Sequence, residues 1–193
     1  ATLIATSVIS PFMVPLKILL MSAFLLALPF VLWQVWAFVA PGLYSHEKKL
    51  VLPLVVSSTV LFFIGVAFCY YFVFGQVFAF IQSFAPKSIT AAPDIEAYLS
   101  FVLSMFLAFG LAFEVPIAVV VLARMGVVSI EKLKNFRGYF IVIAFVIAAI
   151  VTPPDVVSQL ALAVPMCILY EIGIWAAQLF IKHTKAPGTA EEE

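Results

Sequence analysis

A chain of 193 residues that is 65% apolar and only 10% charged, with a mean hydropathy of +1.21, lies outside the range of soluble globular domains, where about a quarter of the residues are charged. It reads as an all-α, polytopic integral membrane protein. The formal net charge of zero says nothing about partners, because in a membrane chain it is the placement of the charges that informs.

The opening ATLIATSVISPF has no initiator Met and no basic stretch ahead of an apolar one, so residues 1–13 read as an extracytoplasmic segment continued from upstream, not as a signal peptide. The first apolar run, Val14–Ala40, has about 27 residues and the second, Val51–Ile81, about 31, where roughly 20 suffice to cross the hydrocarbon. Residues 41–50 turn between them. Around that turn the stretch WQVWAFVAPGLYSHEKK offers Trp33, Trp36, Phe38 and Tyr44 at headgroup depth, Pro41 and Gly42 to stop the helix, and Lys48 and Lys49 to hold the cytoplasmic side. Residues 82–97 are a polar loop, and Asp94 is placed to cap a third run, Tyr98–Ala123, of about 26 residues. Residues 124–138 carry four basic side chains, and Ser129 is placed to cap a short surface helix through IEKLK.

The fourth run, Tyr139–Val151 with Thr152 closing it, has about 13 residues and a length of about 20 Å, against about 30 Å of hydrocarbon. After the turn at 153–155 comes the fifth run, Val156–Ile181, interrupted by Glu171 and Gln178; residues 182–193 form a polar tail. These last two helices predict a hairpin shorter than the membrane is thick, and the unequal lengths predict a concave, open arrangement instead of a closed bundle. Eight Lys and Arg fall on the loops after runs one and three and in the tail, and only Lys17 and Lys87 on the other side, which places the first group in the cytoplasm. Cys69 and Cys167, far apart inside apolar runs, form no metal or redox motif and read as small buried side chains.

Candidate chemistry rests on a few acids. Glu114, in FGLAFEVPIAV, lies about 12 Å from the cytoplasmic end of its run by helix rise, and Pro116 beside it predicts a kink within one turn. An ionised carboxylate at that depth is costly, so it is either held by a neighbouring helix or faces a groove open to water or headgroups; the groove is the expectation adopted. Asp155 is a helix N-cap or, with Thr152 and Gln159, part of a polar cluster at the hairpin tip. Glu171 makes an interhelical hydrogen bond or has a functional role, and Glu47 alone reads as a solvated loop acid beside Lys48. There is no HExxH and no GxSxG, and both histidines, His46 and His183, lie in polar stretches, so an intramembrane protease or metalloenzyme lacks its parts.

SPF near the start, QVWAFVAPGLYSHEKK, YLSFVLSMFLAFGLAFEVPIAV and TPPDVVSQLALAVPM, in that order and spacing from Ser10 to about Trp175, resemble TatC, the multi-spanning core subunit of the bacterial twin-arginine protein translocase. The resemblance implies a six-helix fold of which five helices stand here, the family's first helix and the cytoplasmic segment before it having no counterpart. It implies no enzyme, no cofactor and no nucleic-acid partner. Instead it implies a receptor for the twin-arginine signal peptides of folded precursors in the bacterial cytoplasmic membrane. That receptor assembles with TatA- and TatB-like single-span subunits into an oligomeric complex driven by the proton-motive force. Carried over by position, Glu47 would face the twin arginines with Phe38, His46, Lys48 and Lys49 around it. Glu114 would be the buried glutamate of the concave face. Thr152 and Gln159 would receive a partner helix, with Ala149 where a relative has a larger side chain, and Asp155 would be the acid on the extracytoplasmic rim. The residues taken alone leave open a proton- or ion-coupled solute carrier titrating through Glu114.

Overall fold

The protein is described from a computed structural model, which covers residues 3–39, 48–84, 86–87, 92–152 and 155–184. It is helical because hydrocarbon offers no partner to a free backbone N–H or C=O, so each spanning segment must satisfy its own. In chain order the helices are α1 (Ser10–Val39), α2 (Lys48–Phe68), which passes through a π-helical turn (Cys69–Val73) into α3 (Phe74–Phe84), α4 (Ile95–Ala112), α5 (Val115–Arg124), α6 (Ile130–Asn135), α7 (Arg137–Val151) and α8 (Val156–Thr184).

The first two helices overrun the expected boundaries. The run of apolar residues marks the part in hydrocarbon, whereas the helix continues into the interface: α1 starts at Ser10 within the expected 1–13 segment, and α2 starts at Lys48 within the expected 41–50 turn. Expected caps are found where the side chains have the chemistry. Asp94 accepts from the N–H of Ala97, and Ser129 from that of Lys132. The third run breaks at Phe113 and Glu114 because Pro116 has no N–H to give; the ladder resumes with Ala118 N–H donating to the Glu114 carbonyl at 3.0 Å.

Four stretches, Ser10–Phe38, Leu52–Phe84, Ile95–Arg124 and Val156–Phe180, are long and apolar enough to cross a membrane, and Arg137–Val151 is shorter. At 15 residues α7 extends about 22 Å, less than the hydrocarbon thickness. The expectation that both of the last helices fall short is corrected for α8. Its 29 residues run without interruption through Pro165, Glu171 and Gln178. Glu171 does not break it, since Glu is a good helix former, and its carboxylate Oε1 lies 2.6 Å from Nε of Arg137, the first residue of α7. That ion pair is the interhelical reading of Glu171.

The helices form an open row. α1 packs on α2 and α4, α2 packs on α4, and α5 carries α8, which in turn carries α7; α1 and α7, at the two ends, have no substantial contact. In lipid the hydrophobic effect does not drive helices together, so close backbone approach and dispersion must. Gly65 and Gly110 mark the α2–α4 crossing. A Cβ on Gly65 would stand 2.5 Å from the carbonyl oxygen of Phe109, and one on Gly110 2.5 Å from the Phe62 ring. Gly173 does the same for α5 and α8, where a Cβ would lie 2.9 Å from Cα of Pro116. Alanines 144, 148 and 163 share a buried cluster with Met105, Phe109 and Leu162, joining α4, α7 and α8.

Candidate functional site

The kink between α4 and α5 turns the Glu114 side chain into the protein. On the facing helices Trp36 of α1 donates its indole N–H to Ser58 Oγ of α2 at 2.9 Å, both residues buried. The Ser58 hydroxyl lies close to the Glu114 carboxylate without closing a hydrogen bond, and both carboxylate oxygens are buried with no hydrogen-bond partner among the described residues. The expectation that Glu114 lines a groove open to water or headgroups is therefore corrected. The groove in this region, between α2, α5 and α8, is lined from Pro116 onward and not by Glu114. An ionised carboxylate buried without a donor costs several kcal/mol. Ser58 was missed in the sequence, where the only hint was the polar SST step inside an apolar run.

At the other end of the hairpin, Asp155 does the work of a cap. Its Oδ1 accepts from the N–H of Val157 at 2.8 Å and of Ser158 at 3.3 Å, and Oδ2 accepts from Ser158 Oγ. Gln159 is half-buried and follows on the same first turn. Thr152 is not part of an exposed polar patch. It is 5% exposed, and both its backbone N–H and its hydroxyl donate to the Ala148 carbonyl at the end of α7. The polar contact surface expected of Thr152 and Gln159 thus reduces to Gln159.

Of the residues expected to surround the twin arginines, Glu47 and His46 lie outside the described residues. Lys48 and Lys49 open α2, with their side chains likewise outside the description. Phe38, on the last turn of α1, is 87% exposed. Among the described residues no group of three His, Cys, Asp or Glu is placed to hold a metal ion.

A polar cluster that sequence reading left as one charge in a topology count joins α1 to α4. Lys17 Nζ lies 3.3 Å from Glu96 Oε1 and donates to Ser100 Oγ at 2.8 Å, while Ser10 Oγ donates to Glu96 Oε2 at 2.7 Å. Ile95 N–H donates to the Ile4 carbonyl at 2.9 Å, and Thr6 N–H to Asp94 Oδ1, so the first described residues are tied to the start of α4 as well.

The family model described as "Sec-independent protein translocase protein (TatC)" matches residues 1–165. A protein named Sec-independent protein translocase protein TatC from Halothiobacillus neapolitanus is 53% identical over all of this chain, which spans 52% of its length. Relatives of the same name from Haemophilus influenzae and Escherichia coli K12 are each 49% identical, over 93% and 94% of this chain and 70% of their own lengths. The chain thus spans about half the length of the first of these relatives. The crystal structure of a twin arginine translocase receptor, TatC, superposes with a TM-score of 0.79 at 43% identity, covering 92% of this chain and 78% of that one. This multi-pass membrane protein belongs to the TatC family of Sec-independent protein translocase proteins.

Proposed function

We propose that this chain is the signal-peptide receptor and scaffold subunit of a twin-arginine translocase in a bacterial cytoplasmic membrane, carrying folded precursors with the proton-motive force. The observation that carries this reading is the agreement of the open helix row with the solved TatC receptor over 92% of the chain. In this reading Glu47, with Phe38, His46, Lys48 and Lys49 around it, meets the twin arginines at the cytoplasmic interface. A carboxylate selects arginine over lysine by geometry, since the guanidinium fork gives two parallel hydrogen bonds where an ammonium gives a point charge. Gln159 offers its amide, and Glu114 its unsatisfied carboxylate, to TatA- or TatB-like single-span helices, where a hydrogen bond worth about 0.6 to 2 kcal/mol chooses a register. Asp155 caps α8 at the extracytoplasmic rim and keeps that surface in place.

The test is pull-down of a precursor carrying RR or KK by the full-length protein, with Glu47 intact or changed to Gln. Loss of one charged hydrogen bond, about 1.5 to 3 kcal/mol, should weaken RR binding by roughly 10- to 150-fold and leave KK binding nearly unchanged. An unaltered RR over KK ratio in Glu47→Gln returns that acid to an ordinary solvated loop residue. The solute-carrier reading finds no support in the comparisons, and among the described residues Glu114 is not on the lining of the groove between α2, α5 and α8.

A further inference from the structure

α2 and α4 cross antiparallel: Gly65 lies on the Phe109 carbonyl, and the Phe62 ring lies on Gly110. One turn further, back along α2 and on along the chain through Phe113, which keeps right-handed helical dihedrals, Ser58 comes opposite Glu114. Each is about 15 Å by rise from the end of its stretch, Lys48 for Ser58 and the last residue of α5 for Glu114, so neither is at a surface. Ser58 is fully buried, and its hydroxyl has spent only part of its capacity. The oxygen accepts the Trp36 indole N–H at 2.9 Å. Beside it Thr59 returns its own hydroxyl proton to the Val55 carbonyl at 2.8 Å, whereas Ser58 makes no such bond among the described residues. A buried donor without an acceptor therefore faces a buried carboxylate without a donor. We propose that Ser58 is the resident donor of Glu114: the carboxylate swings onto the Ser58 hydroxyl when no other helix engages it, and a partner helix must displace that bond to use the acid.

Packing decides which atom moves. Ser58 Oγ is held by Trp36, which lies in one buried cluster with Leu32, Phe62 and Ile117, whereas no hydrogen bond holds the Glu114 side chain among the described residues. The serine stays and the carboxylate turns. A hydroxyl donates to a carboxyl oxygen whether the acid is ionised or not, so closing the pair needs no change of charge. The bond must also be weak enough to yield. One hydrogen bond between membrane helices gives a bias of roughly 3- to 15-fold, which a charged donor on a partner helix exceeds. This rests on the reading of Glu114 as an acceptor for partner helices, and gives the acid a place to go between partners.

The experiment is a double-mutant cycle in the full-length protein, purified in maltoside detergent without partner subunits and read by reversible unfolding. Ser58→Ala should lower the folding equilibrium constant roughly 3- to 15-fold more when Glu114 is present than in Glu114→Met, where the carboxylate is gone. A role in packing alone would cost the same in both backgrounds. Ser58→Cys keeps about the same volume with a much weaker donor, should show the same coupling, and serves if Ser58→Ala fails to fold. Equal losses in both backgrounds would overturn the proposal. Displacement is read in membranes, with a co-expressed TatB-like single-span subunit and a photocrosslinking residue at Leu111, which is exposed one turn before Glu114. Ser58→Ala should raise the crosslink yield, because the competing donor is gone; a lower yield would overturn the displacement. An unchanged yield with the coupling intact would overturn it too, and would place the failure in the reading of Glu114 and not in its pairing with Ser58.

Discussion

Glu96 and Glu114 stand on the same membrane-crossing stretch, Ile95–Arg124, and could hardly be treated more differently. Glu96 at its outer end has both carboxylate oxygens engaged, one by Lys17 and one by Ser10. Glu114, at the kink, has two buried oxygens and no hydrogen-bond partner among the described residues. The first acid ties α1 to α4, whereas the second meets no hydrogen-bond partner among the described residues.

The largest expected effect is at Glu114. Glu114→Gln keeps the shape and an acceptor but removes the charge, so precursor export should fall by roughly 10- to 150-fold if a charged partner bond is lost. Thermal stability should stay the same or rise, because an unpartnered buried carboxylate has been removed. Export at the native rate would place Glu114 beside Glu96 as a merely structural acid. Next comes the crossing that holds Ser58 beside it. Gly65→Ala drives a Cβ against the Phe109 carbonyl at 2.5 Å, a backbone atom that cannot swing away, and should cost about 1 to 3 kcal/mol in reversible unfolding in detergent. A neutral result would mean that α2 and α4 are free to separate.

The contrast between the two acids was only half legible in the sequence. Glu114 drew attention as a charge in an apolar run, and Pro116 beside it foretold the kink, because a missing N–H is a local fact. The side to which the carboxylate turns was not legible, since it depends on the helical phase on either side of the break and on where α2 stands. The same division holds elsewhere. Asp94, Ser129 and Asp155 were readable as caps because capping spans three residues, whereas Lys17 and Glu96, 79 residues apart, meet only through the packing of α1 on α4. Run lengths showed which helices cross, except α8, whose Glu171 and Gln178 read as interruptions of the apolar run although both are good helix formers.

Lys17→Met tests the satisfied side of the comparison. The pair is about 30% exposed on both partners, so its Coulomb energy is largely screened, and the stability lost should be about 1 kcal/mol. Export should be unchanged, measured on the same precursor as for Glu114→Gln. A large export defect with normal stability would show that the outer rim has work beyond holding α1 to α4.

The smallest effect is expected at Arg137 and Glu171, where the contact is the shortest and the gain still the least. Their atoms approach to 2.6 Å, closer than Lys17 and Glu96, yet the side chains are 48% and 49% exposed and share no serine donors. A charge pair of that exposure contributes at most about 1 kcal/mol at a water-facing surface and is weakened by salt. Arg137→Gln should therefore lower stability by no more than a few tenths of a kcal/mol in detergent at moderate ionic strength, where water reaches both groups. In a bilayer the same substitution leaves Glu171 facing lipid on the mid-part of α8, and the loss should grow, because the uncompensated charge is then the expensive partner. Comparing unfolding in detergent and in bilayers reads this difference directly. An equal, small loss in both would mean that water reaches the pair within the membrane; an equal, large loss would mean that the contact holds α7 on α8 by packing, not by charge.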